Sequence, residues 1–211
     1  MILTSFPFDG SHPVVRRLLR DPASVRRLVL KATEGMAAEP RCLWRVDDWP
    51  GPDPTLMLLT PGEPPGLPVP LRAPIERIDY LNHLDGLGLA AGQWWGFRLT
   101  GNPVRSQGQG GAGRGKIKAH ADPEHRAWWV DDKGERHGFW SSTVTELWQK
   151  YWQFSVPGAP RPHEIQMTAY TGTLKVTDPE LLCEALLSGI GRAKAYGCGL
   201  LTLHPKPSAT P

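Results

Sequence analysis

The chain carries Gly189-Ile190-Gly191-Arg192-Ala193-Lys194-Ala195-Tyr196-Gly197-Cys198-Gly199, four glycines and two cations with no acid, followed directly by Leu200-Leu201-Thr202-Leu203. Glycine admits positive φ and close approach of another backbone. Successive exposed amides form an anion-binding concavity, and the charges of Arg192 and Lys194 add to it. The spacing predicts a loop for a phosphate chain, with Gly189, Gly191, Gly197 and Gly199 as its backbone and Arg192 and Lys194 as its charges. An ordinary Gly-rich turn from helix to strand is the alternative. Two further cation clusters point the same way. Gly101 to His120 holds Arg105, Arg114, Lys116 and Lys118 and no acid, and Arg16, Arg17, Arg20, Arg26, Arg27 and Lys31 crowd a stretch whose one acid is Asp21. One such run is usually a solvated face, but three in a small chain suit a polyanion.

Other chemistries have little support. Gly189-Ile190-Gly191 lacks the spaced third glycine of a dinucleotide loop, and no Gly-Lys-Ser/Thr phosphate loop occurs. No His/Cys/Asp/Glu cluster has metal-ligand spacing, so no metal and no cofactor is expected. Cys42, Cys183 and Cys198 are odd in number and far apart, which reads as reduced thiols in a cytoplasmic protein. The opening Met1–Phe8 is too short and broken for a signal peptide. No run approaches the roughly 18 apolar residues of a membrane helix.

The elements that must position these residues are legible in the patterning. With 211 residues, 40% hydrophobic and nine Trp, the chain can fill a packed core. Its net charge of +3 hides the uneven distribution of cations. Residues 2–8 read as a strand. Asp21-Pro22 starts a helix in which Val25, Leu28, Val29 and Ala32 form one stripe. Arg27 and Lys31 lie four apart on another face, and Arg26 sits at the stripe's edge, about 100° from Val25. Strands follow at 42–48 and 55–60, around a turn at Trp49-Pro50-Gly51-Pro52. The Pro-rich 61–74 is extended, and 75–83 reads as a short helix. The order then repeats: a strand at 94–100, a Gly/Gln-rich mobile loop at 106–118, a helix from Asp122-Pro123 to about His137, a hairpin of 164–170 and 173–176 around Thr171-Gly172, a helix from Asp178-Pro179 to Gly189, and a last strand at 200–204. The tail 205–211 is expected to fray. The expected fold is α+β: two tandem ferredoxin-like (RRM-like) βαββαβ domains, 1–88 and 92–205, the second carrying the basic loop 104–118 and the Gly-rich loop 189–199. The paired tryptophans read as core, and no base-stacking sheet pattern is visible.

Val176-Thr177-Asp178-Pro179-Glu180-Leu181 and Leu186 through Leu200 resemble the C-terminal signature of the CasE family, the CRISPR repeat-processing endoribonucleases of type I-E systems. Met1-Ile2-Leu3-Thr4, Leu43-Trp44-Arg45-Val46 and Phe97-Arg98-Leu99-Thr100-Gly101-Asn102-Pro103-Val104 are similar, in order, to its first strand, its LWRL-like strand and its FRLxANP segment. The resemblance implies the tandem ferredoxin-like architecture. It also implies binding of a CRISPR RNA repeat hairpin, metal-independent cleavage at the 3′ base of the stem, and retention with other Cascade subunits. Arg27, Lys31, Arg105, Arg114, Lys116, Lys118 and His120 then join the Gly-rich loop in holding RNA. Alignment to the family's histidine-bearing helix places Arg26 where the histidine is expected and Ala23 where a tyrosine often stands. Arginine cannot be a general base, but it can stabilise transition-state charge. His12, before Arg16-Arg17, is the histidine with a route to the same cleft. A binding subunit that does not cleave is the alternative function.

Overall fold

The computed structural model describes residues 1–37, 41–48, 53–107, 116–155 and 162–205. The first half runs β1 (Ile2–Pro7), α1 (Pro13–Leu18), α2 (Pro22–Ala32), β2 (Leu43–Asp47), β3 (Thr55–Thr60), β4 (Glu76–Asp79) and α3 (Tyr80–Leu87). Its strands form an antiparallel sheet in the order β2-β3-β1-β4. This is ferredoxin-like strand order with one change: no helix crosses from β3 to β4. Residues 61–74 contain six prolines, which cannot donate the amide bonds a helix needs. Leu67, Val69 and Leu71 of that stretch pack on the α1/α2 side of the sheet instead. The sequence places a helix at 75–83; the structure divides it. Residues 76–79 pair with β1, and Asp79 then caps α3 by accepting from the Asn82 amide. The turn at 49–52 lies outside the described residues. Helix α1 has no counterpart in the sequence reading, although His12-Pro13 carries the same cap-then-proline pattern as Asp21-Pro22.

The second half is a complete βαββαβ unit. It runs β5 (Trp94–Gly101), a β6–β7 insertion (Val104–Gln107, Lys116–Ala119), α4 (Pro123–Arg136), β8 (Phe139–Phe154), β9 (His163–Val176), α5 (Pro179–Ser188) and β10 (Leu201–Pro205). Strand order is β10-β5-β9-β8, again antiparallel. The two sheets and their helices make the protein an α+β fold of two ferredoxin-like units. Thr171-Gly172 is not a turn. Both residues sit mid-strand in β9, opposite Thr145 and Val144 of β8. Gly172 is needed there because a Cβ would lie 1.9 Å from the Thr143 carbonyl oxygen. The loop expected at 106–118 is in part a hairpin, β6 on β7; residues 108–115 lie outside the described residues, as do 206–211.

One core joins the halves. Leu3, Leu43 and Leu59 from the first sheet pack with Phe97, Leu99, Trp129, Leu186 and Leu201 of the second half. Arg45 fastens the junction. It is 2% exposed and donates two bonds to Asp47 (2.6 and 2.9 Å), with others to the carbonyls of Arg98 (3.0 Å) and Leu200 (2.8 Å) and to Thr202 Oγ1 (2.8 Å). A buried guanidinium is tolerated when its charge is paired and its donors are used, as here. Among the described residues no helix is long and apolar enough to cross a membrane.

Candidate nucleic-acid interface and active site

Helix α2 is fixed at its start by Asp21, whose carboxylate accepts from the Ser24 amide (2.8 Å) and the Ser24 hydroxyl (2.6 Å), with Pro22 in the first turn. Val25, Val29 and Ala32 are buried against the first sheet. That anchoring leaves Arg26 half-buried at the edge, its guanidinium carbon 5.6 Å from the centre of the Tyr196 ring. Such a cation–π contact steadies the side chain without consuming its N–H donors. Arg26 also lines a groove of about 280 Å³ with Met36, Arg41, Trp44 and Ala195. Arg27 and Lys31 are exposed, and Arg27 donates to Ser24 Oγ (2.8 Å). His12 is the N-cap of α1, its Nδ1 accepting from the Val14 amide at 3.2 Å. No ring or polar contact places it with Arg26 among the described residues.

The Gly-rich loop is built into the core. Gly189, Gly191, Gly197 and Gly199 all have φ between +74° and +94°. A Cβ would lie 2.9 Å from Leu43 at Gly189, 2.9 Å from Trp129 at Gly191 and 2.6 Å from Trp44 at Gly197. Glycine is thus required by the protein's own side chains, two of them on β2. The loop is closed by Ile190 N–H to the Gly199 carbonyl (2.9 Å) and Gly199 N–H to the Thr100 carbonyl (2.7 Å). The amides of Tyr196, Gly197 and Cys198 also bond within it, which leaves at most residues 191–195 to offer amides to an anion. Lys194 donates to the Ser188 carbonyl at the end of α5 (2.8 Å), and burial, then Arg41, pushes its ammonium pKa down. Arg192 is exposed and lines the cleft. The loop's one aromatic, Tyr196, lies in a short 3-10 turn (Lys194–Tyr196) beneath Arg26.

The β6–β7 hairpin is a different kind of surface. Arg105 and Lys118 are exposed and stand directly opposite each other in the ladder, and Lys116 pairs with Gln107. Like charges facing across a strand pair are destabilising, so this pairing makes sense for a surface that meets negative charge. Arg114 lies outside the described residues. His120 roots the hairpin. It is buried and stacked on His125 (5.8 Å between ring centres), and its amide donates to the Pro103 carbonyl while its carbonyl accepts from Gln166 Nε2 (2.8 Å). Burial, followed by the charge of Arg105, holds its pKa below the usual histidine range. Below it, Arg126 of α4 is paired to both oxygens of Glu146 (2.8 and 2.9 Å).

Hairpin and loop meet around a cleft of about 620 Å³ lined by Lys118, Tyr151, Glu164, Gln166, Arg192 and Tyr196. Tyr196 is thus shared: it carries the Arg26 contact and also lines the cleft. Two residues that the sequence alone does not single out complete the cluster. Phe154 and His163, the last pair of the β8–β9 ladder, lie 5.0 and 6.5 Å from the Tyr196 ring centre. Tyr196 is visible as the lone aromatic inside the Gly-rich motif; His163 has no local signal. Of the residues expected to act on RNA, the structure gathers Arg26, Lys118 and Arg192 around Tyr196 and its cleft. Arg105 faces Lys118 on the same hairpin, Gly189, Gly191, Gly197, Gly199 and Lys194 form the framework, and His12 stands apart. No group of three or more His, Cys, Asp or Glu suited to a metal ion occurs among the described residues.

Two ferredoxin-like units that meet beside a cation-lined cleft define an RRM-like α+β protein. The chain belongs to the CRISPR-associated protein family, whose pattern matches residues 1–205, and within it to the CasE/Cse3 group. It is 27% identical to the CRISPR-associated endoribonuclease Cse3 of Thermus thermophilus over 97% of this chain and 100% of that protein. It is 28% identical to the Cascade subunit CasE of Escherichia coli over 52% of this chain and 57% of that one. Among solved structures, the endoribonuclease Cse3 bound to a 19-nucleotide RNA superposes with a TM-score of 0.75 at 27% identity, covering 97% of this chain and 98% of that one.

Proposed function

We propose that this protein binds the stem-loop repeat of precursor CRISPR RNA and cuts it at the 3′ base of the stem. In this reading it keeps the guide's hairpin as a subunit of a Cascade complex. The observation that carries the reading is the convergence on Tyr196 of Arg26 from the first half, residues 1–88, and Lys118 and Arg192 from the second, residues 92–205. Likeness to RNA-bound Cse3 along nearly the whole chain supports it. The stem's phosphates lie along Arg105, Arg114, Lys116, Lys118 and Arg192, with Arg27 and Lys31 beyond. The 2′-hydroxyl attacks the adjacent phosphorus, a 2′,3′-cyclic phosphate forms, and the 5′-oxygen leaves. Arg26 stabilises the phosphorane-like charge, an effect worth roughly 3–4 kcal/mol for one good donor. The nucleophile belongs to the substrate and needs no metal to generate it.

The test is incubation with labelled repeat RNA in EDTA, beside a hairpin carrying one 2′-deoxy substitution at the cut. The substituted RNA should bind and stay intact while the natural one is cut. One observation favours a second reading, a subunit that binds without cutting: Arg26 occupies the position where the resemblance places histidine, and it cannot take a proton. If the natural hairpin binds tightly but survives for hours, the second reading stands in place of the first.

A further inference from the structure

We propose that His163 is the proton-accepting residue of this site, working with Arg26 beside the Tyr196 ring that both contact. The inference rests on the cleavage reading above. Arg26 holds charge but cannot accept the 2′-hydroxyl proton, so the chemistry asks for a second group, and imidazole can take up and release a proton near neutral pH. The chain has seven histidines, and their positions discriminate among them. His12 caps α1, His83 stacks on Tyr80, His120 is buried against His125, His137 ends α4, and His204 lies against the backbone of Gly96. His163 alone of the seven shares a ring contact with Tyr196, the residue on which Arg26 rests.

The support beneath His163 makes it more than an exposed side chain. It begins β9, paired with Phe154 at the end of β8. The Phe154 ring packs 6.0 Å from His163 and 5.0 Å from Tyr196, and belongs to a small apolar cluster with Trp148, Trp152, Ile165, Met167 and Cys198. The tip of the long β8–β9 ladder is therefore pinned to the Gly-rich loop, with the imidazole exposed to an incoming strand. Its neighbour Glu164 accepts from Gln153 Nε2 (3.4 Å) across the ladder. Arg26 and His163 approach one ring from two different halves of the chain, the guanidinium carbon 5.6 Å and the imidazole 6.5 Å from its centre.

In the step so assigned, His163 takes the 2′-hydroxyl proton as the 2′-oxygen bonds to phosphorus. The bond from phosphorus to the 5′-oxygen breaks, and that oxygen takes a proton from water. The hydroxide left behind is neutralised by the proton His163 releases, so no oxidant or co-reactant is consumed.

The experiment is single-turnover cleavage of the stem-loop repeat RNA of a CRISPR array from the same genome, with the parent chain, His163→Gln and His163→Ala. Both variants should cut about a hundredfold or more slowly, and binding of the 2′-deoxy hairpin should change by no more than about threefold. Free imidazole should restore part of the His163→Ala rate, which a merely structural loss would not allow. A repeat with sulfur in place of the leaving 5′-oxygen, which departs without a proton, should keep the deficit. If sulfur abolishes it, His163 is the acid and the assignment is overturned. If His163→Gln cuts like the parent, the inference fails and the proposed function survives. If the parent itself binds the hairpin and leaves it intact, cleavage and this inference fall together.

Discussion

The Gly-rich loop and the β6–β7 hairpin both look like RNA-binding segments in the sequence, yet they are built on opposite principles. The loop is set by packing: its glycines face Leu43, Trp44 and Trp129, and its ends are tied to each other and to β5. The hairpin is set by charge, with Arg105 facing Lys118 where a neutral pair would cost less. Glycine density alone does not mark a phosphate cradle. Here it marks a backbone threaded tightly between two halves so that Arg192 and Tyr196 are presented to the cleft. An unfavourable cation pair is the better mark of a surface made for a polyanion.

That contrast can be broken by substitution. The largest effect is expected at Gly197→Ala. Its φ is +90° and the new Cβ would meet the Trp44 ring at 2.6 Å. Left-handed strain and overpacking together cost about 3 kcal/mol, which lowers Tm by roughly 10 °C in a chain of this size. Scanning calorimetry checks it, and an unchanged Tm would mean the loop is not part of the core. Next, Arg105→Ala with Lys118→Ala should leave Tm unchanged or slightly higher while affinity drops. The slope of log K against log salt should flatten by about one unit for each phosphate that the variant no longer neutralises. A slope equal to the parent's would remove the hairpin from the interface. Arg192→Ala should weaken binding about tenfold with no change in Tm, because the substitution removes a charge and leaves the loop intact.

The smallest effect concerns acid. Burial and neighbouring cations hold His120 below the usual histidine range, and burial with Lys194 and Lys133 does the same to His137. The unfolded chain therefore takes up these protons first, at about pH 6.5. The stability the two residues contribute is present above that pH and is lost as pH falls through their folded values. Tm should decline between pH 7 and pH 5, and His120→Gln should decline less; equal declines would show that His120 is not buried as described.

Much of the frame is legible in the sequence because its signals are local. Asp21-Pro22, Asp122-Pro123 and Asp178-Pro179 each begin a helix where the cap and the proline say it must. What escapes is set by long-range contact. Strand β8 mixes Trp, Glu, Gln and Lys, and two bulges break its alternation, at 141/143 and 146/148. Gly172 resembles a turn residue but answers to Thr143 on the neighbouring strand. The replacement of a crossing helix by the Pro-rich 61–74 can be anticipated from proline chemistry; its role as a cover over the core cannot. Tyr196 and His163 are far apart in sequence and meet only because the β8–β9 ladder is long enough to reach the Gly-rich loop.

The account depends above all on Arg26, so the most direct measurement is the single-turnover cleavage rate of the repeat hairpin with Arg26→Ala, alongside its affinity for the 2′-deoxy hairpin. The account predicts a rate lower by about a hundredfold or more, with affinity changed by no more than about threefold, because Arg26 acts on charge that develops only in the transition state. A variant that cuts as fast as the parent would place the chemistry elsewhere and contradict the account.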